Sequence, residues 1–262
     1  MLLALDIGNT EITLGLFGGE RGDALDAHWR LTSNVERTPD EWAAGIASFL
    51  DHAGRAPGEV RAACLASVAP AVTESIASGV ATATGCAPAV VDAATPLPVA
   101  LDVDEPLTVG ADRIVNALSA IERIGGDVLV VDFGTATTFD CITADARFIG
   151  GVIMPGLRTS ADQLTRRAAK LPATELRPPA RAIGRRTEDC IRAGVLFGTA
   201  DAVDGIVRRI AAEWPGGRRP AVVATGGLAG LVTPLSATIE RVDPDLTLHG
   251  VRLAAGHLGL AW

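Results

Sequence analysis

Leu3 to Phe17 reads LALDIGNTEITLGLF: an apolar run ends on Asp6, passes through Gly-Asn-Thr and turns apolar again. The same arrangement returns at Val128 to Thr143, VLVVDFGTATTFDCIT, with Asp132 matching Asp6 and Gly134 matching Gly8. A hairpin needs a turn, but it does not need a carboxylate at the end of a buried strand, and burying an ionised carboxylate without a partner is costly. The duplicated pattern therefore calls for something to face each Asp. It also makes the chain a repeat of two similar halves, each opening on a strand, loop, strand unit.

The intervening sequence fits an α/β fold. AHWRLTS supplies a third strand after the first hairpin. TPDEWAAGIASFLDHAG carries helix punctuation: Thr38 to cap, Pro39 in the first turn, Asp40 and Glu41 at the positive end, Gly54 to close. VRAACLASVAP reads as a buried strand ending near Ser67, followed by a helix over AVTESIASGVATATG and a short strand at APAVVDA. A linker rich in Pro and acid, TPLPVALDVDEPLT, leads into a helix beginning near Gly110. After the second hairpin come helices around RTSADQLTRRAAKL and in TEDCIRAGVLFGTADAVDGIVRRIAAEW. A strand and glycine turn, AVVATGGLAGLV, and a closing helix, LTLHGVRLAAGHLGL, complete the chain. Alternation of this kind predicts α/β layers. The halves divide as 1–115 and 116–262, packed face to face over a cleft.

Two Asp-x-Gly loops at one cleft suit a nucleoside triphosphate. Glycines let backbone N–H groups approach phosphate oxygens, hydroxyls add donors, and the carboxylates can hold a hydrated cation. Gly8, Asn9, Thr10, Gly134 and Thr135 are placed to meet the triphosphate, and Gly226 and Gly227 to lie against adenine or ribose. Each alone is ordinary turn chemistry; the duplicated spacing with a third glycine turn gives the set its weight. In GADRIVNA, Asp112 and Asn116 are four apart and share a helix face. Asp112 reads equally as a residue favoured at a positive helix end and as a carboxylate taking a proton from an attacking hydroxyl, with Arg113 binding an anionic acceptor.

Composition removes several alternatives. A net charge of -8 and a pI near 5.0 argue against nucleic acid as partner. No apolar stretch reaches the ~20 residues of a membrane helix, and the N-terminus enters a strand without a basic leader, so no secretion signal is expected. Cys64, Cys86, Cys141 and Cys190 are widely spaced and read as reduced thiols, and His28, His52, His249 and His257 show no ligand spacing. The one lysine, Lys170, stands in no Gly-x-x-x-x-Gly-Lys loop. A cytoplasmic protein handling small molecules is expected.

DIGNTEITLGLF, VGADRIVNA, VVDFGTATTFD, GGVIMPGL and VVATGGLA, in this order and spacing, resemble the type III pantothenate kinases. That family lies within the acetate kinase, sugar kinase, Hsp70 and actin superfamily. The resemblance covers essentially the whole chain. It implies two ribonuclease-H-like domains with an ATP cleft between them, a homodimer, ATP with Mg²⁺, and K⁺ or NH₄⁺. The implied reaction is phosphorylation of pantothenate to 4′-phosphopantothenate, the first step of coenzyme A synthesis. By this resemblance Asp6, Ile7, Gly8, Asn9, Thr10, Glu11, Ile12 and Thr13 form the ATP loop, Asp6 meeting Mg-ATP directly or through water. Thr135 also contacts ATP, joined by Gly226 and Gly227 from the glycine-turn reading above, and by the resemblance Asp132 binds the monovalent cation. Asp112 is the general base; Gly110, Ala111, Asp112, Arg113 and Thr187 contact pantothenate. The departures cluster at the acceptor: Val103 stands where many members carry Tyr, Leu97-Pro98 where they carry Thr-Gly, and Glu11 where Asn, His or Arg is frequent. A paralogous kinase of another small alcohol, or a regulator that kept the fold without turnover, are the competing readings.

Overall fold

The computed structural model describes residues 1–18 and 23–262. They divide into two compact units, Met1–Ser119 with Leu246–Trp262, and Ala120–Asp245.

In the first unit β1 (Leu2–Ile7), β2 (Glu11–Gly18) and β3 (Ala24–Thr32) form an antiparallel meander. β4 (Ala62–Ser67) lies parallel to β1 on its other side and β5 (Ala89–Val91) parallel to β4, giving the order β3-β2-β1-β4-β5. Every β1 residue except Asp6 is fully buried, as a central strand covered on both faces requires. α1 (Pro39–His52) and α2 (Pro70–Thr84) cover the face of Leu3, Leu5 and Ile7 through Trp42, Ile46, Leu50, Val72 and Ile76. The helix punctuation read from the sequence is realised at α1. Thr38 caps it, accepting from the Glu41 N–H, while the Glu41 carboxylate accepts from the Thr38 N–H in return. β6 (Ala100–Leu101) precedes α3 (Ala111–Arg123). Ala111, Val115 and Leu118 of α3 pack on the opposite face, that of Leu2, Ala4 and Phe17, together with Leu248, Val251, Ala254 and Ala255 of the C-terminal helix.

The second unit repeats the plan. β7 (Val128–Phe133), β8 (Ala136–Thr143) and β9 (Arg147–Pro155) form the meander; β10 (Ala221–Thr225) lies parallel to β7 and β11 (Arg241–Val242) parallel to β10. The order β9-β8-β7-β10-β11 thus mirrors the first sheet. β1 and β7 share one burial pattern, and β2 and β8 differ only at their first residue. α4 (Leu157–Arg167), α5 (Thr187–Glu213) and α6 (Ala229–Val232) cover one face, that of Leu129, Val131 and Phe133. The C-terminal helix is α7 (Leu246–His257). It lies with the first unit, whereas the sequence boundary at 115/116 assigns it to the second half; its apolar residues complete the core of β1.

Candidate functional site

In the first unit Asp6 is paired in register with Thr13 on β2 and Ala66 on β4. Leu3, Leu5 and Ile7 face α1 and α2, so strand alternation turns Asp6 toward the α3 and α7 face. The loop after it is closed by the Gly8 N–H donating to the Glu11 carbonyl at 3.0 Å. Ser33, just past β3, fastens it: its hydroxyl donates to the Gly8 carbonyl at 2.5 Å and its N–H to the Thr10 carbonyl at 2.9 Å. Asn9, Thr10 and Glu11 are exposed at the tip. Ile7 and Ile12 put their side chains into the core. Glu11 is engaged by Arg30 across the strand pair at 3.2 Å, an exposed ion pair worth no more than ~1 kcal/mol.

Asp112 stands at the same end of this sheet. The Val68 N–H, just past β4, donates to the Ile7 carbonyl at 3.0 Å. Gly110 packs against Val68 so closely that a Cβ there would lie 3.1 Å from its Cγ1 and 2.5 Å from Asp112 Oδ1. Glycine is therefore what lets the carboxylate fold back over its own helix start. Burial pushes the Asp112 carboxyl above the usual carboxylate range, opposed by the Arg113 N–H bonded to Oδ1 at 2.8 Å and by the Arg113 charge. Ala111 is buried and Arg113 partly so. Asn116, which shares a helix face with Asp112 in the sequence reading, is 1 % exposed and accepts from Thr247 Oγ1 at 2.8 Å, tying α3 to α7. In the altered linker, Leu97 packs against the core of this face and Val103 is partly buried.

The second unit holds the matching loop. Asp132 is in register with Thr138 on β8 and Thr225 on β10. The Gly134 N–H donates to the Ala136 carbonyl at 3.0 Å. The exposed Thr135 is fastened through its carbonyl, which accepts from the Gly156 N–H at 3.2 Å and Thr159 Oγ1 at 2.6 Å. Gly226 adopts φ +90°, and a Cβ on it would lie 2.4 Å from Asp132 Oδ1. The β10 turn thus passes directly over the carboxylate, a conformation and a closeness that both demand glycine. Gly227 beside it is exposed. Thr187 opens α5 and lines an apolar cavity of about 560 Å³ with Met154, Leu164, Leu171, Ile191 and Val195.

The residues read from the sequence thus gather at three places: the Asp6 loop, the start of α3, and the Asp132 loop with its glycine turn. Sequence reasoning missed Ser33 and Thr159, which hold the loops, and Thr225 beside Asp132. Position was the available signal: Ser33 directly follows the third strand, and Thr225 directly precedes the Gly-Gly turn.

A family model for type III pantothenate kinase matches residues 2–209. The chain is 43% identical over 253 residues to the type III pantothenate kinase of Moorella thermoacetica, covering 97% of this chain and 98% of the relative. It is 44% identical over 253 residues to that of Roseiflexus sp. (strain RS-1), covering 97% of each. Among solved structures, the activator of the 2-hydroxyisocaproyl-CoA dehydratase from Clostridium difficile with bound ADPNP matches at TM-score 0.58 and 12% identity, over 100% of this chain and 98% of that one. This last likeness shows the fold alone: the α/β, two-lobed architecture of the actin-like ATPases and sugar kinases.

Proposed function

We propose that this chain, which belongs to the type III pantothenate kinase family, transfers the γ-phosphoryl group of ATP to pantothenate, the first step of coenzyme A synthesis. The acceptor hydroxyl oxygen attacks the γ-phosphorus, the bond to the β,γ-bridging oxygen breaks, ADP leaves, and the hydroxyl proton passes to Asp112. The observation that carries this reading is Asp112 itself. It is a carboxyl with raised proton affinity at a helix start, beside Arg113 and at the same sheet end as the Asp6 loop. A carboxylate so tuned is a stronger base than an exposed one.

Asp6 to Thr13 serve the phosphates through loop amides and the Asn9 and Thr10 side chains, and Thr135, Gly226 and Gly227 also serve the nucleotide. Asp6 would face the Mg²⁺ that accompanies ATP, directly or through water, and the ion would offset phosphate charge while keeping much of its hydration. Asp132 takes the monovalent cation, K⁺ or NH₄⁺. Gly110, Ala111, Asp112 and Arg113 bind pantothenate, the Arg113 guanidinium matching its carboxylate. Thr187 joins them from a second copy of the chain, which covers the apolar cavity of α4 and α5 and the exposed Ile153 and Leu164 in a cytoplasmic homodimer. Positioning and electrostatic stabilisation supply most of the rate.

The test is ADP release with ATP, Mg²⁺ and K⁺, with and without pantothenate, on protein whose oligomeric state is read by sedimentation. Turnover that requires pantothenate, from a dimer, is expected. Nucleotide binding without pantothenate turnover would instead favour another small alcohol as acceptor, the reading that Val103 and Leu97-Pro98 support. A stable monomer would remove Thr187 from the acceptor site.

A further inference from the structure

Thr225 is fully buried, and its hydroxyl finds no hydrogen-bond partner among the described residues. An unpaired buried hydroxyl is unfavourable, so its presence asks for a reason. The fold does not require it. The repeat places Ala66 at the equivalent position of the first unit: Ala66 pairs with Asp6 on the parallel neighbour as Thr225 pairs with Asp132, and Ala66 is also fully buried. One half of the molecule thus closes this spot with a methyl group, and the other carries an oxygen there.

That oxygen is next to a charge. Residues paired across neighbouring strands project from the same face, so Thr225 lies on the Asp132 side of the sheet, whereas Val222 and Ala224 pack with α5 on the other. The following residue, Gly226, bends over Asp132 Oδ1 at a distance that leaves no room for a Cβ. One carboxylate, one unpaired hydroxyl and a backbone turn are thereby brought to one small polar spot under a glycine. This set fits a large, weakly hydrated monovalent cation, which takes neutral oxygens readily. It suits Mg²⁺ poorly, since that ion demands near-ideal octahedral geometry and gives up water reluctantly.

Resting on the reading of Asp132 as the cation carboxylate, we infer that the Thr225 hydroxyl is a direct ligand of the same monovalent cation. A hydroxyl oxygen is an acceptor with two lone pairs, so it can face the ion while its proton is left for a water or a nucleotide oxygen.

The experiment follows thermal unfolding of the full chain through a K⁺ titration, with choline replacing K⁺ at constant ionic strength, in the absence and presence of ADP. A ligand that binds the folded state raises the unfolding temperature with a concentration dependence set by its affinity. The wild type is expected to show a saturable rise specific to K⁺. Thr225→Ser should keep the midpoint. Thr225→Val and Thr225→Ala should each move it roughly 10- to 100-fold higher, the scale of one lost contact to a charged group. Ala66 shows that alanine fits the position, which guards against a folding failure of the valine variant. Asp132→Asn should abolish the response. If both Thr225→Val and Thr225→Ala titrate like wild type while Asp132→Asn does not respond, the inference is overturned and the hydroxyl serves a buried water. If the wild type itself shows no K⁺-specific rise, the reading of Asp132 fails first and the inference falls with it.

Discussion

The two Asp-x-Gly hairpins share a scaffold and differ at the places that decide what each can hold. Both put an aspartate one residue before the end of a central strand, in register with a threonine on the antiparallel neighbour. The first loop has four residues between its last strand pair, Ile7 with Ile12; the second has three, between Phe133 and Thr137. Opposite the last residue of the central strand, the first unit has Ser67, whose hydroxyl accepts from the Ala69 N–H at the start of α2 and meets Thr73 Oγ1 at 2.6 Å. The second has Gly226, laid over Asp132. The longer loop offers more exposed donors for a spread anion such as a triphosphate. The shorter one lies beside a carboxylate that Gly226 covers, as suits a weakly hydrated monovalent cation. On the proposed reading, one duplicated backbone serves two electrostatic tasks, and loop length and the Ser67/Gly226 difference separate them.

In the proposed reaction proton transfer falls to neither hairpin but to Asp112, and the largest effect is expected there. Asp112→Asn should lower kcat by ~10²- to 10⁴-fold while ATP affinity, measured by calorimetry, stays near wild type. Because burial raises the Asp112 proton affinity, the proposed base is protonated at a higher pH than an ordinary carboxylate. The wild-type rate should therefore fall at a pH above the ordinary carboxylate range, and Asp112→Asn should lose that limb. Stability runs the opposite way: a raised folded-state pKa contributes stability below the unfolded value that is lost as pH rises through the folded one. Asp112→Asn should accordingly unfold at a higher temperature than wild type above that window. Full turnover by the Asn variant would return the base to one of the hairpins.

Next in size is the contrast between Gly226 and Ser67. Gly226→Ala forces a side chain into positive φ and into Asp132, at a cost of ~1–3 kcal/mol, and should weaken the K⁺ response and raise the KM for ATP. Ser67→Ala removes its hydrogen bonds with the Ala69 N–H and Thr73 Oγ1, each worth ~0.5–1.5 kcal/mol, and should leave both constants unchanged. Chemical denaturation and initial-rate kinetics on the pair decide it. Equal behaviour would mean that the glycine turn carries no functional constraint.

How much of this was readable before folding depended on the sequence distance over which each contact is made. The strands β1 and β7 were legible because a central strand is apolar on both faces, so a lone Asp near its end stands out. The helix starting at Ala111 and the Thr38 cap were legible because their signals lie within a few residues of one another. Gly226 over Asp132 was not, since 94 residues separate a glycine of ordinary turn type from the carboxylate it covers. Asn116 lies on the helix of Asp112 as its spacing implies, but its bond from Thr247, on a helix read as part of the other half, was beyond the reach of local sequence. Glu11 looked like a change in the nucleotide loop, and the cross-strand neighbour that holds it, Arg30, becomes apparent only once the β2–β3 register is known.

The smallest expected effect separates the loops by how each is fastened. Ser33 closes the first loop with a hydroxyl and an N–H from one residue, whereas the second divides the task between the Gly156 N–H and the Thr159 hydroxyl. Each side-chain hydrogen bond is worth ~0.5–1.5 kcal/mol. Ser33→Ala therefore frees the Gly8 carbonyl beside the exposed loop tip and, on the proposed reading, should raise the KM for ATP several-fold with kcat nearly unchanged. Thr159→Val leaves Thr135 still held by the Gly156 N–H and should move the KM less. If Thr159→Val proved the more damaging, the second loop rather than the first would dominate nucleotide affinity, and the division of tasks drawn from loop length would have to be reversed.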